Sequence, residues 1–373
     1  MEHTQLEQAE LIFYEIENYN CKFVGQVFNL NKQSISGEVV FNTGMTGYEE
    51  TITDPSYAGQ ILVFTYPIIG NYGVSNGDSW ESKKIHVKAV ICENIFTEPA
   101  HYALCETFFN WLKQEGVPLL IGVDTRELTK VLRDYGVLNG IIYQTGSNLS
   151  ELGGAPLIST DLVSQVSTKH IQNHGNGKYK IILVDCGVKA NIIRSLLMFD
   201  VTIKQVPYNY DYTGEDYDGI LLSNGPGDPK SCTETISILQ KVMLDNGEDN
   251  IVKPIFGICL GSQLMALSAD ADTYKLNFGH RGQNQPCIDV ATNRCYLTSQ
   301  NHGYAICDNT LPHDWQITFL NLNDNTIAGI KHKSLPFSSV QFHPEAAPGP
   351  HDTNYLFTNF MNQVKQVKDG HTK

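Results

Sequence analysis

The chain has 373 residues, 41% hydrophobic and 18% charged, with a formal net charge of −14. That length exceeds one small core and predicts two domains, and no apolar run approaches the ~20 residues that a membrane-spanning helix needs. Residues 1–165 carry 20 acidic and 9 basic side chains, a balance of −11 that would repel a phosphate backbone, so neither nucleic acid nor a membrane is an expected partner. The acidic start MEHTQLEQAELIFYEIENYN has neither the basic and apolar regions of a signal peptide nor the Arg-rich character of a transit peptide, so a cytoplasmic protein is expected. The nine cysteines include no C-x-x-C pair, which argues against a structural zinc site or a disulfide framework.

In chain order, KFVGQVF and GEVVFNTGMTG alternate apolar and polar residues between turn signals and read as short strands. ILVFTYPIIG (61–70) and HVKAVIC (86–92) read as core strands. HYALCETFFNWLKQ (101–114) and RELTKVLRDY (126–135) have helical spacing, with Asp124 or Thr125 as the cap of the second. Residues 1–150 are therefore expected to form an α+β domain. Residues 151–178, rich in Gly, Ser, Asn and Thr, are expected to be a linker. From 179 to 373 strands and helices alternate: YKIILVDCG, KANIIRSLLMFD, VTIKQVPY, DGILLSNGPGDP, TETISILQKVML, PIFGICLG, SQLMALSA. This pattern predicts an α/β domain with a doubly wound, mostly parallel sheet, whose ligands bind beyond the C-terminal ends of the strands.

Three motifs fall at such ends. Cys259, in Gly257-Ile258-Cys259-Leu260-Gly261, stands where a strand turns sharply into a helix. A nucleophile on such an elbow is lifted clear of the sheet, faces the positive end of the helix dipole, and leaves the N–H of Leu260 for an oxyanion. By itself the motif fits equally a cysteine packed in a core with glycines at a close helix–sheet contact. FSSVQFHPEAAPGP (337–350) supplies a base, His343, and an orienting carboxylate, Glu345, two residues apart in extended chain and so on one side. SNGPGDP (223–229) is a rigid loop able to donate a second oxyanion N–H.

Together GICLGSQ, SNGPGDP and FHPE resemble the class I triad glutamine amidotransferases. FNTGMTGYEETITDPSYAGQILVFTYPIIGNYG (41–73), GVDTRELTKVLRDYG (122–136) and SQNHGYAI (299–306) extend the likeness over roughly residues 20 to 365, to the small, glutamine-hydrolysing chain of carbamoyl phosphate synthetase. The resemblance implies that Cys259 attacks the side-chain amide of L-glutamine, that the N–H groups of Gly225 and Leu260 hold the oxyanion, and that His343, oriented by Glu345, protonates the leaving ammonia. It implies glutamine contacts at Gly44, Gly225, Gly227, Leu260, Gln263, Asn301, Gly303 and Tyr304. Lys189, in DCGVKAN, matches a family lysine and is read as structural or interface-forming. Ser262 stands where relatives often have His, and Gly44 where bacterial members often have Ser. The implied partner is a synthetase large chain or fused synthetase domain, docked by residues 1–150, which receives the ammonia and makes carbamoyl phosphate for pyrimidine or arginine synthesis. No cofactor and no metal are expected in this chain, which has no G-x-x-x-x-G-K-[ST] loop; ATP and Mg²⁺ are expected on the synthetase. An amidotransferase serving another acceptor and a non-catalytic regulatory subunit are the alternatives.

Overall fold

A computed structural model of the chain describes residues 6–15, 22–30, 34–147, 161–244 and 251–370. It divides into two compact units, Met1–Ser159 and Thr160–Lys373.

The first unit contains strands β1 (Glu7–Phe13), β2 (Phe23–Phe28), β3 (Ser34–Asn42), β4 (Gln60–Phe64), β5 (Ile68–Ile69), β6 (Ala89–Ile91), β7 (Asn94–Ile95), β8 (Leu119–Ile121) and β9 (Leu138–Gln144). Its helices are α1 (Tyr48–Thr53), α2 (Phe108–Gln114) and α3 (Thr125–Tyr135). Seven strands close into a barrel in the order β1-β2-β8-β6-β4-β3-β9. Alternation along each strand builds it: Ala9, Leu11, Ile61, Val63, Ala89 and Ile91 share one cluster, while Val40, Leu62 and Val90 pack with Phe108, Trp111 and Leu112 of α2. Helix α2 starts later than the expected 101–114, because Thr107 caps it by accepting from the N–H of Asn110, and the N–H groups of Cys105 and Glu106 go instead to Val74 O. Asp124 is the cap of α3, accepting from the N–H of Glu127 at 2.8 Å.

Of the expected linker, residues 151–160 lie outside the described residues. Residues 161–178 carry helix α4 (Val163–Val166) and strand β10 (Gln172–His174), which joins the sheet of the second unit. That unit continues with β11 (Tyr179–Asp185), α5 (Ala190–Leu196), β12 (Val201–Pro207), β13 (Gly219–Leu222), α6 (Thr233–Leu244), β14 (Ile255–Ile258) and α7 (Leu260–Ser268). There follow β15 (Thr273–Asp289), β16 (Cys295–Ile306), β17 (Trp315–Asn321), β18 (Ile327–His332), β19 (Phe337–Val340) and α8 (Tyr355–Gly370).

The ten strands lie in the order β10-β12-β11-β13-β14-β19-β18-β17-β15-β16. The five central strands from β12 to β19 pair in parallel. The expectation of a mostly parallel sheet holds only for them. Beyond β19 every pairing is antiparallel, as is that of β10. The reason is connection length: β15 and β16, β17 and β18, and β18 and β19 are each joined by a short turn, which makes antiparallel neighbours, whereas a parallel pair needs a long crossover. The apolar runs of β11, β13 and β14 are buried on both faces of this sheet, as parallel strands between helices require. No helix among the described residues is long and apolar enough to cross a membrane.

Helix α7 lies hard against the sheet because position 261 has no side chain. A Cβ on Gly261 would stand 2.3 Å from Leu222 O, a backbone atom that cannot swing aside. Gly261→Ala is therefore expected to destabilise the protein by about 3 kcal/mol, as overpacking against rigid structure does. A urea unfolding midpoint equal to that of the parent chain would refute this account of the glycine.

Candidate active site

Strand β14 ends at Ile258 and the next residue, Cys259, has a φ of 54°. A side-chain-bearing residue rarely adopts this conformation, and it persists only where the surroundings enforce it. Here both flanks do. The N–H of Cys259 donates to Val340 O at 2.9 Å and that of Gly261 to Ser223 O at 3.0 Å, which tie the elbow to the ends of β19 and β13. A Cβ on Gly257 would meet Gly261 O at 2.6 Å, so both glycines of the motif are needed for the turn. The N–H of Leu260 occupies the first position of α7, where no helical carbonyl reaches it.

His343 and Glu345 follow β19. His343 Nδ1 lies 2.6 Å from Glu345 Oε1, and both side chains are buried. The carboxylate accepts, so Nδ1 carries the proton and Nε2 faces the other way. Nε2 is buried and has no hydrogen-bond partner among the described residues. Burial works against a charge on His343, but the Glu345 carboxylate overrides it, and Cys259 adds to the rise while Lys189 opposes it; the imidazole is lifted to about 10. Glu345 is also penalised by burial, yet Lys189 first and then His343 hold it ionised, at about 2.

Lys189, read from the sequence as structural or interface-forming, is a buried partner of the site. Its Nζ lies 3.1 Å from Glu345 Oε1 and also donates to Ala346 O, with lysine and glutamate side chains 3% and 0% exposed. Asn191 donates its side-chain amide to Glu345 O. Asp185, at the end of β11, accepts from the N–H groups of Gly187 and Val188 and so shapes the loop that presents Lys189. Ala346 and Ala347 both have positive φ, which places strained backbone next to the carboxylate.

Within the second unit, the loop of Gly225 and strand β16 lie beside the elbow. Gly225 is held so close that a Cβ would meet Cys186 O at 2.1 Å and Leu260 Cδ2 at 2.8 Å, which sets the 223–227 loop beside the elbow. Gly227, at a φ of 87°, lies further along this loop, near Leu162. On the other side β16 presents Asn301, whose carbonyl faces Cys259 Sγ at 3.6 Å. Opposite this stretch β15 is irregular: Lys275 pairs with Tyr304 and His280 with His302, so residues 276–279 face Gly303 alone. Such a bulge re-aims backbone groups. Tyr304 O accepts from Gln263 Nε2 and from His302 Nδ1, both at 2.8 Å. His302 is held neutral, well below its ordinary range, by burial and by His280 beside it. Ser262 turns into the sheet, against Ser339 at 2.8 Å. Gly44 belongs to the first unit, where its N–H donates to Asn42 Oδ1 at 2.6 Å. Sequence reasoning missed Gln341, whose Nε2 lies 3.7 Å from Cys259 Sγ. Its signal was present, since it stands two residues before His343 on extended chain and shares its side.

Residues 182–363 match the family described as glutamine amidotransferase class-I, and residues 17–142 match the carbamoyl-phosphate synthase small chain, CPSase domain. A carbamoyl phosphate synthase small chain from Listeria monocytogenes is 44% identical over 370 residues, covering 96% of this chain and 98% of that one. The multifunctional protein pyr1-3 of Dictyostelium discoideum is 44% identical over 361 residues, and the multifunctional protein CAD of Squalus acanthias 43% identical over 357. These alignments cover 90% and 93% of this chain but only 16% of each multifunctional relative.

Proposed function

The chain belongs to the carbamoyl phosphate synthase small chain family, and from that premise we propose that it hydrolyses L-glutamine and passes the ammonia to a synthetase chain or domain that makes carbamoyl phosphate. The observation that carries the proposal is the buried His343–Glu345 pair, 2.6 Å apart, beside a cysteine on a positive-φ elbow.

In the proposed reaction the proton of Cys259 already rests on His343 Nε2, as the raised imidazole requires, and Cys259 Sγ bonds as the thiolate to the amide carbon of glutamine. The carbonyl oxygen becomes an oxyanion, taken by the N–H groups of Leu260 and Gly225. His343 then gives the proton to the departing nitrogen, the C–N bond breaks, and ammonia leaves a γ-glutamyl thioester on Cys259. Water attacks the thioester carbon, His343 takes the water's proton and keeps it, the C–S bond breaks to return the Cys259 thiolate, and glutamate is released. Glu345 holds the proton of His343 at Nδ1 throughout, so that Nε2 is the nitrogen that exchanges it. Gln263, Asn301, Gly303 and Tyr304, with Gly227 across the sulfur, are proposed to orient the substrate. Gln263 has its Nε2 committed to protein acceptors, which leaves its oxygen to take a substrate N–H.

These steps use side chains and backbone of this chain. ATP and Mg²⁺ are proposed to belong to the synthetase, and the first unit to dock it. Mixing the chain with a bacterial carbamoyl phosphate synthetase large chain, ATP and bicarbonate is expected to give glutamine-dependent carbamoyl phosphate. Formation that depends on added ammonia alone, with or without this chain, would sink the proposal.

A further inference from the structure

Cys259 Sγ has two polar neighbours of opposite kind. Asn301 O, at 3.6 Å, can only accept, and suits the thiol. Gln341 Nε2, at 3.7 Å, can donate. The orientation of Gln341 follows from a chain of contacts. Tyr304 O only accepts, so the atom of Gln263 that lies 2.8 Å from it is the amide nitrogen. That same nitrogen lies 3.0 Å from Gln341, which must therefore turn its oxygen toward Gln263. The Gln341 nitrogen is then left facing the sulfur. Gln341 is 1% exposed and Gln263 3%, so no bulk water competes for these bonds. The backbone N–H of Gln341 donates to Ala328 O at 2.9 Å and fixes the root of the side chain to β18.

We infer that Gln341 is a positioning residue for the nucleophile: its amide N–H holds Cys259 Sγ as the thiolate, and Gln263 links that donor to the strand that carries Asn301 to Tyr304. A donor toward an anion favours the charged form and costs no reorganisation when it is already oriented. When S–H becomes S⁻, Asn301 O loses its hydrogen bond and Gln341 N–H gains strength. Because Gln263 also bonds Tyr304 O, a shift of this strand when substrate binds reaches the sulfur through two amides. The inference rests on the reading of Cys259 as nucleophile. The titratable groups that bear on the sulfur are His343, with Glu345 and Lys189 behind it, and neutral His302 on β16.

The test counts the Cys259 thiolate by its ultraviolet absorbance between about pH 6 and pH 10, each protein measured against its own Cys259→Ala counterpart. Gln341→Met keeps the shape and removes the donor; Gln341→Glu keeps the shape and turns an anion toward the sulfur. The titration curve is expected to move about one pH unit higher in Gln341→Met, and further in Gln341→Glu. Gln341→Asn, whose amide is too short to reach, carries the same expectation as Met should either of the others fail to fold. Curves that superimpose on that of the parent, in folded protein, would overturn the inference while leaving Cys259-dependent ammonia release intact. Loss of the glutaminase reading would show instead as ammonia release indifferent to Cys259, whatever the curves do.

Discussion

Cys259→Ala is expected to reduce glutamine-dependent ammonia release by about a thousandfold or more, because the covalent route is lost and only binding and the oxyanion donors remain. The substitution removes a single sulfur from a side chain that is 1% exposed, and the elbow is held by backbone bonds to Val340 and Ser223 that do not involve it. The fold should survive, with an unchanged circular dichroism spectrum. The measurement is ammonia release with the synthetase large chain present, followed beside the parent chain. Cys259→Ala protein that releases ammonia at the parent's rate would remove the nucleophile assignment, and with it the reading of the elbow as catalytic.

Glu345→Gln should damage both catalysis and stability. Its carboxylate is fully buried and faces two groups at once, His343 Nδ1 at 2.6 Å and Lys189 Nζ at 3.1 Å. A neutral amide leaves Lys189 as a buried charge without its counter-ion, at a cost of about 3–5 kcal/mol. Ammonia release should fall about a hundredfold or more, since the acid–base step loses its oriented imidazole. The pH dependence separates this account from general unfolding. In the parent, His343 is raised from 6.5 to about 10, so its contribution to stability is complete below pH 6.5 and is lost as pH rises through about 10. Glu345 is lowered from 4.5 to about 2, so its contribution is complete above pH 4.5 and is lost as pH falls through about 2. Without the carboxylate, burial governs His343 and keeps it neutral, and the decline between pH 6.5 and 10 should disappear. Urea midpoints across that range test it. A Glu345→Gln protein that keeps the parent's alkaline decline would show that the decline belongs to other groups.

Much of the molecule was legible residue by residue. The run TETISILQKVML reads as a helix and is α6, and the apolar run of β14 bounded by the glycines of the elbow identifies a buried strand and its turn. Local rules act there, because helical periodicity, capping by Asp124 and the demand for glycine at a close approach depend on neighbours in sequence. Residues 273–332 were less legible. Thr298, Gln300, His302 and Asn321 are polar and look like surface, yet they are buried. Protein groups meet their polar atoms instead of water: Asn321 donates its side-chain amide to Gln300 Oε1 at 3.4 Å, and Gln300 Nε2 lies 3.0 Å from Thr298 Oγ1. Burial of that kind is possible only when the partners arrive together, and no hydropathy pattern shows it.

A cysteine between two glycines, a histidine two residues before a glutamate and a Gly-Pro-Gly loop are properties of short segments, so the candidate nucleophile, base and oxyanion loop were readable before the fold. Which groups lie against those candidates depends on the fold. Lys189 lies 156 residues from Glu345 in sequence, and Gln341 lies 82 residues from Cys259. The parallel order β11-β13-β14-β19 brings the ends of these strands to one edge and sets a buried lysine against the carboxylate and a buried amide against the sulfur. Electrostatics and hydrogen bonding fall off over a few ångströms in space, whatever the separation along the chain, so the spatial order of the strands settles which charges meet.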